Sequence, residues 1–144
     1  MPFETPFPAP AFGGTIAASA HEHGGTAPQP IIRTNQSWAV DVDWTNTGIG
    51  TGMIGGNYDL HLLLERVGPG SDLDITDPND HIIPLTPGPS PVVYSRHVDV
   101  AANVVPAGVY KLVVLLRYFE LGGGGPGPMA AYQETTPLLQ FYDP

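Results

Sequence analysis

Cysteine is absent from this 144-residue chain, so neither disulfides nor thiolate metal sites contribute to its fold or its chemistry. Basic residues are almost as scarce: Lys111, Arg33, Arg66, Arg96 and Arg117 stand against 14 acids, for a formal charge of −9. A nucleic-acid surface needs clustered cations to displace counterions, and an anionic membrane surface needs them too. A nucleic-acid partner is therefore excluded and an anionic membrane surface disfavoured. Long apolar runs are missing as well, and the stretch Val113 to Leu116 is far too short to span a bilayer. The opening residues MPFETPFPAP have neither the basic segment nor the continuous apolar segment of a secretory signal. The expectation is cytoplasmic synthesis without a signal peptide.

Glycine and proline, by contrast, are abundant. The 18 Gly and 17 Pro make up about a quarter of the chain and disfavour long helices. Short strands joined by many turns are the alternative. The length corresponds to one domain.

Residues 1 to 29 contain no Lys or Arg and carry Phe3, Phe7 and Phe12 between prolines. A segment of this composition builds no core of its own. It reads as an extended N-terminal arm, either a disordered leader or a docking arm whose aromatic residues act as anchors and whose prolines reduce the entropy lost on docking. From residue 30 a period of two takes over. Ser37 to Thr45 puts Trp38, Val40, Val42 and Trp44 on one face and Ala39, Asp41, Asp43 and Thr45 on the other. Tyr58 to Val67 faces Tyr58, Leu60, Leu62 and Leu64 inward, with Asp59, His61, Leu63 and Glu65 outward. Val92 to Val100 alternates in the same way, with Arg96 as the one misfit on its apolar face, placed at a sheet rim or beside an acid. With Pro30 to Arg33, His81 to Leu85, Val109 to Leu121 and a last strand within 129 to 142, seven strands result.

Seven short strands with turns between them match a single all-β, immunoglobulin-like antiparallel sandwich over residues 30 to 144, preceded by the arm. Two passages carry a resemblance. Val-Asp-Trp-Thr-Asn-Thr-Gly at 42 to 48 resembles the end of a strand in bacterial adhesion-type and CARDB-like domains. Val-Pro-Ala-Gly-Val-Tyr-Lys-Leu at 105 to 112 resembles the corner that enters a later strand of those domains. The resemblance implies that the hydroxyl of Tyr110 bonds back to the backbone. It speaks for the fold alone, because such domains serve as spacers, adhesins and filament subunits.

Motifs of chemistry are few. His21-Glu22-His23 has the H-x-H spacing that chelates metal in a strand and distantly resembles a cupin metal motif, yet three or four convergent ligands are needed and the remaining ones are not at matching spacings. Asp72, Asp74, Asp77 and Asp80 crowd one loop without EF-hand spacing. There is no G-x-S-x-G and no cysteine nucleophile. No catalytic residue, cofactor or metal is assigned.

The anomaly is a strand apolar on both faces. Across 109 to 121, Tyr110, Leu112, Val114, Leu116 and Tyr118 suit the core, while Val113, Leu115 and Phe119 share the opposite face with Lys111 and Arg117. With Leu63 they predict an apolar patch on an outer sheet face, covered either by the chain's own arm folded back over it or by the arm or sheet of another copy, since such patches mark interfaces. The expected role is a structural subunit that self-assembles into a filament, tube or shell through Phe3, Phe7, Phe12, Leu63, Val113, Leu115 and Phe119, its partners being copies of itself. The alternative is a monomeric module that binds another protein or a glycan through loops 46 to 57 and 68 to 91.

Overall fold

A computed structural model describes residues 3–5, 12–25, 29–53, 55–120, 126–134 and 138–144, with backbone alone at 3, 4, 126–129, 133 and 134. Among them run eleven strands and one 3-10 turn, Ile49–Gly52. One sheet has three strands, β2 (Gly13–Glu22), β4 (Trp38–Thr47) and β8 (Val92–Val100), antiparallel throughout with β4 in the middle. The other is centred on β9 (Gly108–Phe119), which pairs along one edge with β5 (Asn57–Arg66) and along the other with β10 (Pro126–Glu134) and β11 (Leu139–Tyr142). Short strands extend this sheet: β6 (Leu73–Asp74) and β7 (Ile82–Pro84) on β5, β1 (Phe3–Glu4) on β10, and β3 (Ile31–Arg33) parallel to β11.

The chain is thus an all-β sandwich, and the period of two explains it. Trp38, Val40, Val42 and Trp44 of β4 face Tyr58, Leu60, Leu62 and Leu64 of β5 and Tyr110, Leu112, Val114 and Leu116 of β9, all in one buried cluster. Each such side chain contributes about 1.5–3 kcal/mol by leaving water. Arg96 points toward this interior from β8, which pairs only with β4 among the described residues. Its side chain is partly exposed there, with Nη1 donating to the Ser95 carbonyl at 2.9 Å and the buried Nε 3.6 Å from Asp80 Oδ2.

Tyr110 makes the expected return contact. Its hydroxyl donates to the Pro106 carbonyl at 3.0 Å and accepts from Arg66 Nη1 at 2.9 Å. Arg66 also donates to the Ala107 carbonyl at 3.1 Å, with its guanidinium over the Tyr110 ring. The corner at 105 to 110 is therefore fixed by side-chain bonds as well as by packing.

Two expectations need correction. Residues 13 to 22, assigned to the arm, form β2, paired with β4 through ten consecutive positions from Gly13↔Thr47 to Glu22↔Trp38. The sandwich therefore begins well before residue 30. Its inward residues Ile16, Ala18 and Ala20 are mostly small, so the alternation is weak in hydropathy and the segment reads as low in structure. The strand count also exceeds seven, because β2 is added, the C-terminal strand is two strands, and pairing on β5 and β10 creates the two-residue strands β6 and β1, too short to show a period.

Candidate functional site

The outer face of the larger sheet is set by the β5–β9 register. Asp59, His61, Leu63 and Glu65 on β5 lie opposite Arg117, Leu115, Val113 and Lys111 on β9. Val113 is buried and Leu63, Leu115 and Phe119 are half-buried. Four of the seven residues expected at the interface therefore share one face. The other three belong to the arm. Phe12 is 3 % exposed and packs in the chain's own core, Phe3 is placed by its backbone opposite Ala131 of β10, and Phe7 lies outside the described residues. Where the arm is described, its own chain's sheets hold it.

The same face carries a polar cluster at the Asp59 end. Asp59 is buried, and its carboxylate meets His61 Nε2 at 2.9 Å and His81 Nδ1 at 2.7 Å, with Arg117 Nη2 at 3.8 Å. Burial pushes its pKa up, but the hydrogen bonds from His81 and His61 outweigh burial, and the carboxyl lies below its usual range. A carboxyl depressed on folding adds stability that is fully present above its unfolded value, about 3.9, and is lost as pH falls through the lower folded value. Urea midpoints measured from pH 5 downward should fall for the native chain, and Asp59→Asn should flatten that slope; an unchanged slope would remove Asp59 from the acid response.

A second cluster lies on the outer face of the three-stranded sheet. The registers Ser19↔Asp41 and Asp41↔His97, with His21 two residues beyond Ser19, bring His21, Asp41 and His97 together from β2, β4 and β8. His21 Nε2 is 2.8 Å from Asp41 Oδ2 and His97 Nδ1 is 2.5 Å from Asp41 Oδ1. The far nitrogens are engaged too: His21 Nδ1 faces the Glu22 carbonyl at 2.9 Å and His97 Nε2 faces Asp99 Oδ1 at 3.0 Å. The hydrogen bond to Asp41 raises the His97 pKa, aided by Asp99 against a smaller opposing effect of burial. For Asp41, burial pushes upward, and the bonds from His97 and His21 bring the net shift below the usual value.

The local motifs behave differently. His23 sits in the turn after β2 with its N–H on the Ser37 carbonyl, and Glu22 accepts from the Arg33 N–H at 2.9 Å, so the H-x-H triplet does not converge. In the acidic loop, Asp72, Asp74 and Asp77 each accept a nearby backbone N–H, and Asp80 faces Arg96. Among the described residues, only His21, Asp41 and His97 form a group of three or more potential metal donors. Nothing in the motif spacing announces that group, since its members are 20 and 56 positions apart.

At the β4–β5 end, Gly48–Gly52 and Gly88–Ser90 border a shallow depression of about 530 Å³. Ile49 lines it at 81 % exposure, and Met53, just after the 3-10 turn, is 86 % exposed. No helix is long and apolar enough to cross a membrane among the described residues. No protein-family model, characterised protein or solved structure matches the chain.

Proposed function

We propose that this chain is a non-enzymatic, immunoglobulin-like structural subunit that associates with copies of itself through the outer face of the larger sheet. The supporting observation is the layout of the β5 and β9 columns. Asp59 and Glu65 stand at the ends of one column with His61 and Leu63 between them, and Arg117 and Lys111 stand at the ends of the next with Leu115 and Val113 between them. Turned face to face about a two-fold axis, the acidic column of one copy lies over the basic column of another around a centre of Leu63, Val113, Leu115 and His61. A self-complementary patch of this kind is what an isologous contact requires.

The experiment is light scattering on the whole chain across concentration, with Leu63→Asp/Leu115→Asp beside it. The native chain should exceed monomer mass and the variant should return to it, because each contact would bury unpaired carboxylates. A native chain that stays monomeric at all concentrations overturns the reading. That result would favour the second reading, a module binding another protein or a glycan through the Ile49 and Met53 loop end, whose exposed apolar side chains suit such a contact.

A further inference from the structure

The hydrogen-bond pattern around Asp41 contains a mismatch. The Glu22 carbonyl only accepts, so His21 Nδ1 carries its hydrogen, and Nε2 of the neutral ring aims a lone pair at Asp41 Oδ2, 2.8 Å away. His97 lies between two carboxylates, with Nδ1 facing Asp41 Oδ1 and Nε2 facing Asp99 Oδ1, so whichever nitrogen carries the hydrogen, the other nitrogen of the neutral ring aims a lone pair at an acid. A lone pair facing a carboxylate oxygen is repulsive unless positive charge lies between them. Two extra protons satisfy both rings, and so does one divalent cation.

We propose that His21, Asp41 and His97 form a binding site for a borderline divalent transition metal of the zinc type. Two imidazoles and one carboxylate select zinc, cobalt, nickel or copper over calcium and magnesium, which prefer all-oxygen shells. The donor atoms all lie within 4.8 Å of one another. In a tetrahedral zinc site they stand about 3.3 Å apart, so side-chain shifts of about 1 Å complete the set. The outer support is built as metal-binding histidines require, with a backbone carbonyl behind His21 and a carboxylate behind His97. His97 is exposed and Asp41 and His21 are partly so, which leaves the remaining position open to water or to a donor from another molecule. The bound ion ties both edge strands, β2 and β8, to β4.

The other histidine cluster serves as an internal control. Asp59 also meets two histidines, but Arg117 stands 3.8 Å from its carboxylate, and a fixed cation there repels a second one.

The test is calorimetric titration of zinc into the untagged whole chain after chelator treatment, with the visible spectrum of the cobalt-loaded chain as a report of the ligand set. The native chain should take up one ion. His21→Ala and His97→Ala should each weaken binding by at least about 10-fold, and Asp99→Asn by about 10-fold through loss of outer support alone. His81→Ala should bind as the native chain does. No uptake at millimolar zinc overturns the proposal, and so does binding lost in His23→Ala or His81→Ala but retained in His97→Ala. A variant whose circular dichroism departs from native is replaced by Asp41→Asn, judged by the same two readouts.

Discussion

Trp44→Ala should cost about 3–5 kcal/mol of unfolding free energy, the usual range for removing a large aromatic residue from a core. Trp44 is 1 % exposed. Its ring stacks on Tyr94 at 5.4 Å and meets the Tyr58 ring edge-on at 5.8 Å, so the substitution empties the middle of an aromatic cluster joining both sheets. Tyr58 is held there by its hydroxyl, which donates to the buried Asn46 Oδ1 at 2.9 Å, and it moves little to fill the gap. Domains of this size are stable by about 5–15 kcal/mol, so the loss is a large part of the total. Trp44→Phe should cost much less, because the indole Nε1–H has no hydrogen-bond partner among the described residues, and a buried unpaired donor itself costs about 1–3 kcal/mol. Urea unfolding of both variants provides the comparison. Equal losses would mean that the indole's extra volume, and not its unpaired donor, decides the balance.

The aromatic residues of the core show why parts of the fold are legible in the sequence. Trp38, Trp44, Tyr58 and Tyr110 are large side chains recurring at every second position beside polar ones, and the strands that carry them lie close to where the period of two places them. Where the inward residues are alanine, as at Ala18 and Ala20 of β2, the alternation has little amplitude and the strand passes for an arm. Strands such as β6 and β1 exist only because β5 and β10 offer edges, and an edge is a property of the assembled sheet.

The candidate sites divide along the same line. The Leu63, Val113 and Leu115 face is legible because a doubly apolar strand is visible in one dimension. Phe12 misleads, since an aromatic residue beside prolines looks like a free anchor while it packs into its own core. The His21, Asp41 and His97 group is hidden, for each member is merely an outward residue of its own strand. Only the registers of β2 and β8 on β4 bring them together, and a shift of one residue would turn every one of them to the other face. The H-x-H triplet draws attention to the correct first histidine and to the wrong second one.

Gly56→Ala should also be strongly destabilising, although it adds a single methyl group and no charge. Gly56 ends the loop that leads into β5, and its φ of +118° is a conformation that side-chain-bearing residues rarely adopt. Strain of this kind costs about 1–3 kcal/mol. The new Cβ would also stand 2.3 Å from the Phe119 carbonyl oxygen, and 2.9 Å from the Tyr118 ring. A side chain can rotate away, but the carbonyl belongs to β9, whose Phe119 pairs with Asn57 immediately after Gly56. Relief therefore requires the end of the β5–β9 ladder to open. That movement also disturbs the Leu85 N–H bond to the Gly56 carbonyl, at 3.0 Å, which holds the segment leading to β8. Hydrogen exchange should accordingly speed up at Asn57, Leu85 and Phe119 while remaining native-like at the far end of the ladder, near Arg66 and Tyr110. Uniform acceleration across β5 and β9 would show instead that the loop end and the sheet unfold as one unit, and native rates throughout would show that the loop absorbs the methyl group by itself.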